Sequence, residues 1–296
     1  MNVKSAVYCL LGGLVLCTSS CTISDSDEPT VKSGRLQSIN VMSVPFYAIT
    51  YDASGRVIQL SDAISQTKTT IDYSAKRLQW EEFDERYDRD GNLISYRSYK
   101  TIWNNFELNS NGCIVSAYAT EIEYDYNGEE NQRFEYPVTF DYDGNGRITR
   151  FTIVDPVDRD EITLYQWRDG LLNEVVYEDE GIKFDYTDAP QNFNRQWVPW
   201  WGDPSSLAIT GLMGEAPVKL ISKSIINEGF GYSETSFFYY NLTDTGYISG
   251  LRMIDSYGDN LTFSFSYTNT RNEDLPFSFE RHQGKRSFSM FHKRNK

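Results

Sequence analysis

Bulky and small side chains alternate along most of this chain. In Phe134–Val154, Phe134, Tyr136, Val138, Phe140 and Tyr142 are separated by Glu135, Pro137, Thr139 and Asp141. A period of two sends alternate side chains to opposite faces of a strand. Asp143-Gly144-Asn145-Gly146 follows, and Arg147–Val154 runs back. Glycine and asparagine reach positive φ at little cost, as a tight reversal between strands requires. The pattern predicts a β-hairpin. One hairpin cannot bury its aromatic face alone, so it needs neighbours.

The neighbours repeat the same turn. Tyr51-Asp52-Ala53-Ser54-Gly55-Arg56-Val57 matches Tyr142-Asp143-Gly144-Asn145-Gly146-Arg147-Ile148 position by position. Tyr87–Leu93 matches again, and Leu108–Ile114 and Leu242–Ile248 are looser copies. The frame is an apolar residue, polar turn formers, Gly at the fifth place and an apolar residue at the seventh. A recurring hairpin of this kind fixes the fold class. The expectation is all-β: an antiparallel meander of repeated hairpins, curled into a barrel or strongly curved sheet, with one loop or short-helix insert. The insert is residues 188–217, where the alternation stops. It holds Pro190, Pro199, Pro204 and Pro217 and the cluster Trp197, Trp200, Trp201. Within it, Ser205–Gly214 suits a short helix, capped by a serine and ended by glycine. Strands resume at Lys219, with Leu261–Tyr267 the cleanest alternation, and Phe277–Glu280 and Ser287–Phe291 close the series.

Composition changes the picture in two ways. Aromatic residues reach 15%, led by 21 Tyr and 17 Phe, which suits sheets whose rings pack while hydroxyls meet water. The net charge of −14 argues against a nucleic-acid partner, because phosphate binding needs a positive field. The basic tail 292–296 is a local exception.

The N-terminus is an address label. Lys4 precedes the apolar run Ala6–Leu16, too short to span as a helix but suited to a signal-peptide core. Cys17-Thr18-Ser19-Ser20-Cys21 resembles a bacterial lipoprotein cleavage box, which implies a signal peptide over 1–20 and acylation of Cys21. The polar, acidic stretch 21–33 is a flexible tether, and 34–291 forms one β domain. Cys9 and Cys17 leave with the leader, so only Cys113 remains in the body and no internal disulfide forms. Cys113 lies in a turn copy and is expected as a small filler.

The Tyr-Asp-x-x-Gly-Arg hairpins, the acidic lipoprotein leader and the insert Leu207–Gly214 before Lys219–Ser224 together resemble an uncharacterised Bacteroidetes lipoprotein family. Its domain of unknown function is described as porin-like. The hairpins also resemble the YD repeats of Rhs-type surface proteins. The first resemblance implies a surface-exposed outer-membrane lipoprotein, held to the membrane by its acyl anchor. It carries no catalytic residues. A membrane-spanning barrel needs an outward apolar band of about 25 Å. The second faces of these strands instead carry Glu, Asp, Lys, Arg and Thr, so the aromatic face is expected inward.

Candidate chemistry is sparse. Asp141, Asp143 and Asn145 fit the first half of a calcium loop, but position twelve is Thr152 rather than an acid, and turn chemistry explains the same residues. Trp197, Trp200, Trp201 and Arg195 could form an aromatic platform for a sugar ring. The alternative is that the tryptophans fill the interior. With 42 Asp plus Glu, a glycoside-hydrolysing pair could exist but spacing does not single one out. Only His282 and His292 could serve a nucleophile, and no cofactor motif is present. The expected protein is a non-enzymatic surface module that binds a glycan or another envelope protein. The alternatives are a carboxylate-based glycan hydrolase and an outer-membrane pore.

Overall fold

The computed structural model describes residues 15–16, 35–62, 66–87, 92–155, 159–177, 180–192, 196–197, 208, 210–227 and 233–267. In chain order the strands are β1 (Val15–Leu16), β2 (Leu36–Val41), β3 (Val44–Tyr51), β4 (Val57–Asp62), β5 (Thr67–Asp72) and β6 (Arg77–Tyr87). Next come β7 (Leu93–Leu108), β8 (Ile114–Tyr124), β9 (Glu130–Tyr142), β10 (Ile148–Ile153), β11 (Glu161–Arg168) and β12 (Leu171–Tyr177). The last are β13 (Glu180–Asp185), β14 (Gln196–Trp197), β15 (Lys223–Asn227), β16 (Ser233–Leu242), β17 (Ile248–Asp255) and β18 (Asn260–Tyr267). Sixteen of them form one closed antiparallel barrel in sequence order, sealed where β18 pairs with β2 through Ile39–Phe265 and Ser38–Ser266. The expected all-β meander is therefore a complete barrel. β1 and β14 form a separate two-stranded ribbon, made in part from the expected leader; the barrel does not depend on it.

The turn frame has a single geometry. Among the described residues it occurs at Asp52, Asn109, Asp125, Asp143, Thr243 and Asp255. Each of these residues donates its N–H to the carbonyl four residues on and accepts the N–H of the glycine three residues on. Each side-chain oxygen also accepts the N–H four residues on, at 2.8–3.0 Å. The six glycines have φ between 77° and 85°. This is a type I turn closed by a left-handed bulge residue, and glycine takes that position without a Cβ clash. The copy at Tyr87–Leu93 has residues 88–91 outside the described residues. Asp125–Glu129, which follows a strand ending in Tyr124, is a full copy of the frame.

Alternation sorts the faces. Leu78, Trp103, Ala119, Val138, Phe140, Phe151 and Phe265 point inward and are buried. Trp103, Phe140 and Phe151 pack with ring centroids 4.8–6.3 Å apart. The opposite face carries Gln59, Ser61, Lys68, Thr70, Arg77, Gln79, Glu81 and Lys100 at consecutive register positions on β4 to β7. Ile162, Leu164, Phe237 and Tyr239 are exposed apolar exceptions. Most bulky rings are therefore inward, as the alternation predicts. The strands are long in one sector: β6, β7, β8 and β9 have 11, 16, 11 and 13 residues, while β15 has 5. That sector is tall, and the barrel rim is correspondingly uneven.

Candidate functional site

The two ends of the barrel differ in kind. The chain enters at Leu36, leaves at Tyr267, and departs and returns around the insert at one end, called here the insert end. The inward residues there are sealed: Leu36, Ile114, Ile148, Leu172 and Ile248 are 0–1% exposed. The insert is stitched to this rim through its backbone. Ile114 donates its N–H to the Leu212 carbonyl, Glu215 to Gly146, Val218 to Gly170, and Ser222 to Asp185, at 2.9–3.0 Å. Asn192, buried, donates its Nδ2 to the Pro217 carbonyl at 2.8 Å.

Side-chain donors complete the closure. At six joints, neighbouring strands not joined by a turn at this end are stapled by a ring donor on one and a carbonyl on the other. The hydroxyls of Tyr51, Tyr142, Tyr186, Tyr240 and Tyr267 donate to the carbonyls of Leu36, Ile114, Leu172, Ile221 and Ile248. Trp167 Nε1 does the same to Ile148. The distances are 2.5–2.9 Å. The tyrosine of the repeated Tyr-Asp pair thus has a physical role where it is Tyr51 or Tyr142. It ties a barrel joint that has no covalent link at that end.

Trp197 belongs to this plug. It is 2% exposed, its Nε1 donates to the Gly214 carbonyl at 3.0 Å, and its ring meets Trp167 edge-on at 5.9 Å. Of the sequence-predicted platform, Trp197 is therefore interior filling, the alternative weighed for it above, because the barrel end it closes is apolar. Trp200, Trp201 and Arg195 lie outside the described residues, as does Cys21. In the expected short helix, Ala208 and Thr210 are helical, and Gly214 at φ 93° ends the following turn. Asp143 of the calcium-like triplet is engaged by its turn: it accepts the N–H groups of Asn145 and Arg147 and pairs with the Arg147 guanidinium at 2.6 Å. Asp141 points outward from β9, 3.9 Å from Arg150. The two aspartates of the triplet are thus engaged by the turn and by arginines. Cys113 is buried, and burial pushes its thiol up to about 11. A thiol in that state is a filler, not a nucleophile.

The far end carries different chemistry. Inward positions there mix buried and half-buried side chains: Asp62, Thr69, Thr101 and Thr163 are 3–7% exposed, while Trp80, Glu82, Tyr99, Glu121, Glu123, Phe134, Tyr136, Glu161 and Tyr177 are half-buried. Register places Thr101 opposite Glu121, and Glu121 opposite Phe134. Tyr136 donates its hydroxyl to Glu121 Oε1, and Tyr99 lies against the same carboxyl. Burial pushes the Glu121 carboxyl above the ordinary carboxylate range. The tyrosine hydrogen bonds pull it down, and the charges of Glu161 and Glu123 add to the rise. Tyr177 donates to Glu161 Oε2 at 2.9 Å. Sequence reasoning missed this cluster. Its residues come from β6, β7, β8, β9, β11 and β12, and no local spacing marks them. The available signal was Glu161, in phase with Tyr165 and Trp167 on β11; Glu121 stands in the phase opposite Tyr118, Ile122 and Tyr124 and gave none.

The sequence profile of the Teneurin YD-shell family matches residues 31–192. That is more than half of the chain, and the chain belongs to this family. The crystal structure of a porin-like protein from Bacteroides uniformis is similar at 12% identity, with a TM-score of 0.46, covering 75% of this chain and 89% of that one. The YD-repeat resemblance expected from the sequence is thereby met. No curated protein matches the chain.

Proposed function

We propose that the mature chain is a lipid-anchored protein of the cell envelope, held outside the bilayer through Cys21, that binds a small ligand in the far-end lumen of its barrel. The observation that carries this reading is the partition of side chains between the two faces. Lys68, Arg77 and Lys100 on the outer face would each cost about 2–4 kcal/mol at the middle of a bilayer, so the outer face belongs in water. The lumen, in turn, is apolar and sealed at the insert end and polar at the far end. A half-buried pocket lined with a few convergent polar groups among rings is the ordinary form of a ligand site. Anchor and barrel divide the work: acyl chains hold the protein and the barrel receives the ligand. Trp200, Trp201 and Arg195 are proposed as a second contact for a glycan or an envelope protein.

The anchor is tested by growing cells with labelled palmitate. Label should enter the wild-type protein and be lost in Cys21→Ser, which should also leave the membrane fraction. Equal labelling of both proteins would sink the anchor.

A glycan hydrolase is the second reading, favoured by one observation. Glu121 is held towards its protonated form while Glu161, close enough to repel it, accepts a tyrosine hydrogen bond. Two carboxyls with unlike environments are what acid-assisted glycoside cleavage uses. Release of reducing ends from a polysaccharide panel, abolished by Glu121→Gln, would support it; no release from any member would remove it.

A further inference from the structure

In the tall sector, β9 outruns its neighbour and leaves a strand edge uncovered. β8 pairs with β9 as far as Tyr124 opposite Glu130. On the other side, β10 follows β9 only to Ile153 opposite Val138. The ladder stops at Pro137. Its carbonyl accepts the Val154 N–H at 2.9 Å, and its nitrogen has no hydrogen to return. Among the described residues, no strand lies along residues 130–135 on that side. Main-chain groups alternate in direction along a strand. Those of Asn131, Arg133 and Glu135 therefore point the same way as the Pro137 carbonyl, off the edge.

The side chains on this edge decide what can pair with it. Asn131, Arg133 and Glu135 are exposed on the outer face, while Gln132, Phe134 and Tyr136 are half-buried on the inner one. Arg133 is tied to Glu130 through Nε and Nη2 at 2.8 Å, and its Nη1 lies 3.7 Å from Glu135. Charges on an edge block strand addition unless opposite charges meet across the pair. For a second copy running antiparallel, register settles which charges meet. Centred on Arg133, it sets Arg133 opposite itself. Centred on Gln132, it sets Glu135 opposite Glu129, and centred on Glu135, it sets Glu135 opposite itself. Centred on Phe134, it sets Arg133 opposite Glu135 and Glu135 opposite Arg133. Phe134 then meets Phe134, and Gln132 meets Tyr136. The run Arg133-Phe134-Glu135 is thus complementary to itself in one register and like-charged in the registers beside it.

We infer that two copies of this chain associate through β9, edge to edge and antiparallel about Phe134. Arg133 and Glu135 exchange main-chain hydrogen bonds with Glu135 and Arg133 of the second copy. Both copies use the same surface, so the contact closes as a two-fold pair instead of growing into a fibre. An unrelated extended peptide would also find main-chain partners on this edge, but this chain itself supplies the matching charges. The inference needs neither the ligand nor the anchor proposed above.

Sedimentation of the full-length protein, with detergent micelles in large excess, tests this. The wild type should pass from monomer to dimer as concentration rises a hundredfold. Arg133→Glu and Glu135→Arg should each stay monomeric over that range, because like charges then face each other. An equimolar mixture of the two should dimerise, since each carries the charge the other lacks. Lys68→Glu, on the outer face of β5, should behave as wild type. In the wild type, amide exchange at Arg133 and Glu135 should slow at least tenfold from the lowest to the highest concentration. A wild type that is monomeric throughout overturns the inference, and so does a dimer that either single variant keeps. A mixture that stays monomeric, with melting curves showing both variants folded, overturns it as well. Should a variant fail to fold, the wild-type exchange decides: a dimer with unchanged exchange at those two amides pairs elsewhere and sinks the proposal.

Discussion

Single residues in this protein are constrained most where the insert meets the barrel. Gly214 has φ 93°, and a Cβ there would lie 2.3 Å from the Gly146 carbonyl oxygen. Gly144 has open space around it. Gly214→Ala should therefore destabilise by more than about 2 kcal/mol, from left-handed strain and the clash combined, while Gly144→Ala stays within about 0.5 kcal/mol. Urea denaturation of the two variants makes the comparison, and equal midpoints would contradict the placement of the plug. Glu121 is constrained differently. Its carboxyl binds a proton more tightly folded than unfolded, because burial disfavours the charge. The stability this contributes is complete below the ordinary value of 4.5 and drains away as pH rises through the raised folded value. Glu121→Gln should thus gain on wild type between pH 5 and 8, relative to pH 4. A stability difference independent of pH would show that the carboxyl titrates normally.

At the scale of elements, the repeating unit is a hairpin with two fastenings. The Asx or Thr side chain closes the turn by accepting the N–H four residues on, and at the insert end a tyrosine hydroxyl ties the next joint. Tyr142 is the clearest case, because it reaches both the Ile114 carbonyl at 2.7 Å and the Leu212 carbonyl at 3.3 Å. Tyr142→Phe keeps the ring but leaves those acceptors without it, and should cost about 1–3 kcal/mol. Hydrogen exchange should localise the loss to the start of β8 and the insert; a change confined to the β9–β10 turn would mean the staple is incidental. The turn frame was visible in sequence because glycine, aspartate and asparagine act over four residues. The staples were not, since their partners stand 14 to 28 residues apart and a carbonyl has no side-chain signature.

For the whole molecule the decisive contact is the seam. β2 and β18 begin and end the barrel, and Ser38 stands opposite Ser266. Opposed residues in an antiparallel pair have Cα atoms about 4.5–5.5 Å apart, within disulfide range. Ser38→Cys with Ser266→Cys should therefore cross-link on oxidation, read as a linked peptide by mass spectrometry. An open, curved sheet would leave both thiols free. The same scale explains Trp197: an aromatic, proline-rich segment could have faced solvent or filled a space, and only the existence of an apolar barrel end to be closed decided between them.

The order of residues along the chain determined by itself the all-β class, the hairpin frame, the inward direction of the rings and the outward direction of most charges. All of these follow from a period of two and from turn chemistry spanning a few residues. Closure, the number of strands, the plugged end and the meeting of Glu121, Tyr99, Tyr136 and Glu161 were decided only in three dimensions. They depend on how far a twisted sheet travels before its first and last strands meet, and that is a sum over every strand rather than a property of any one stretch.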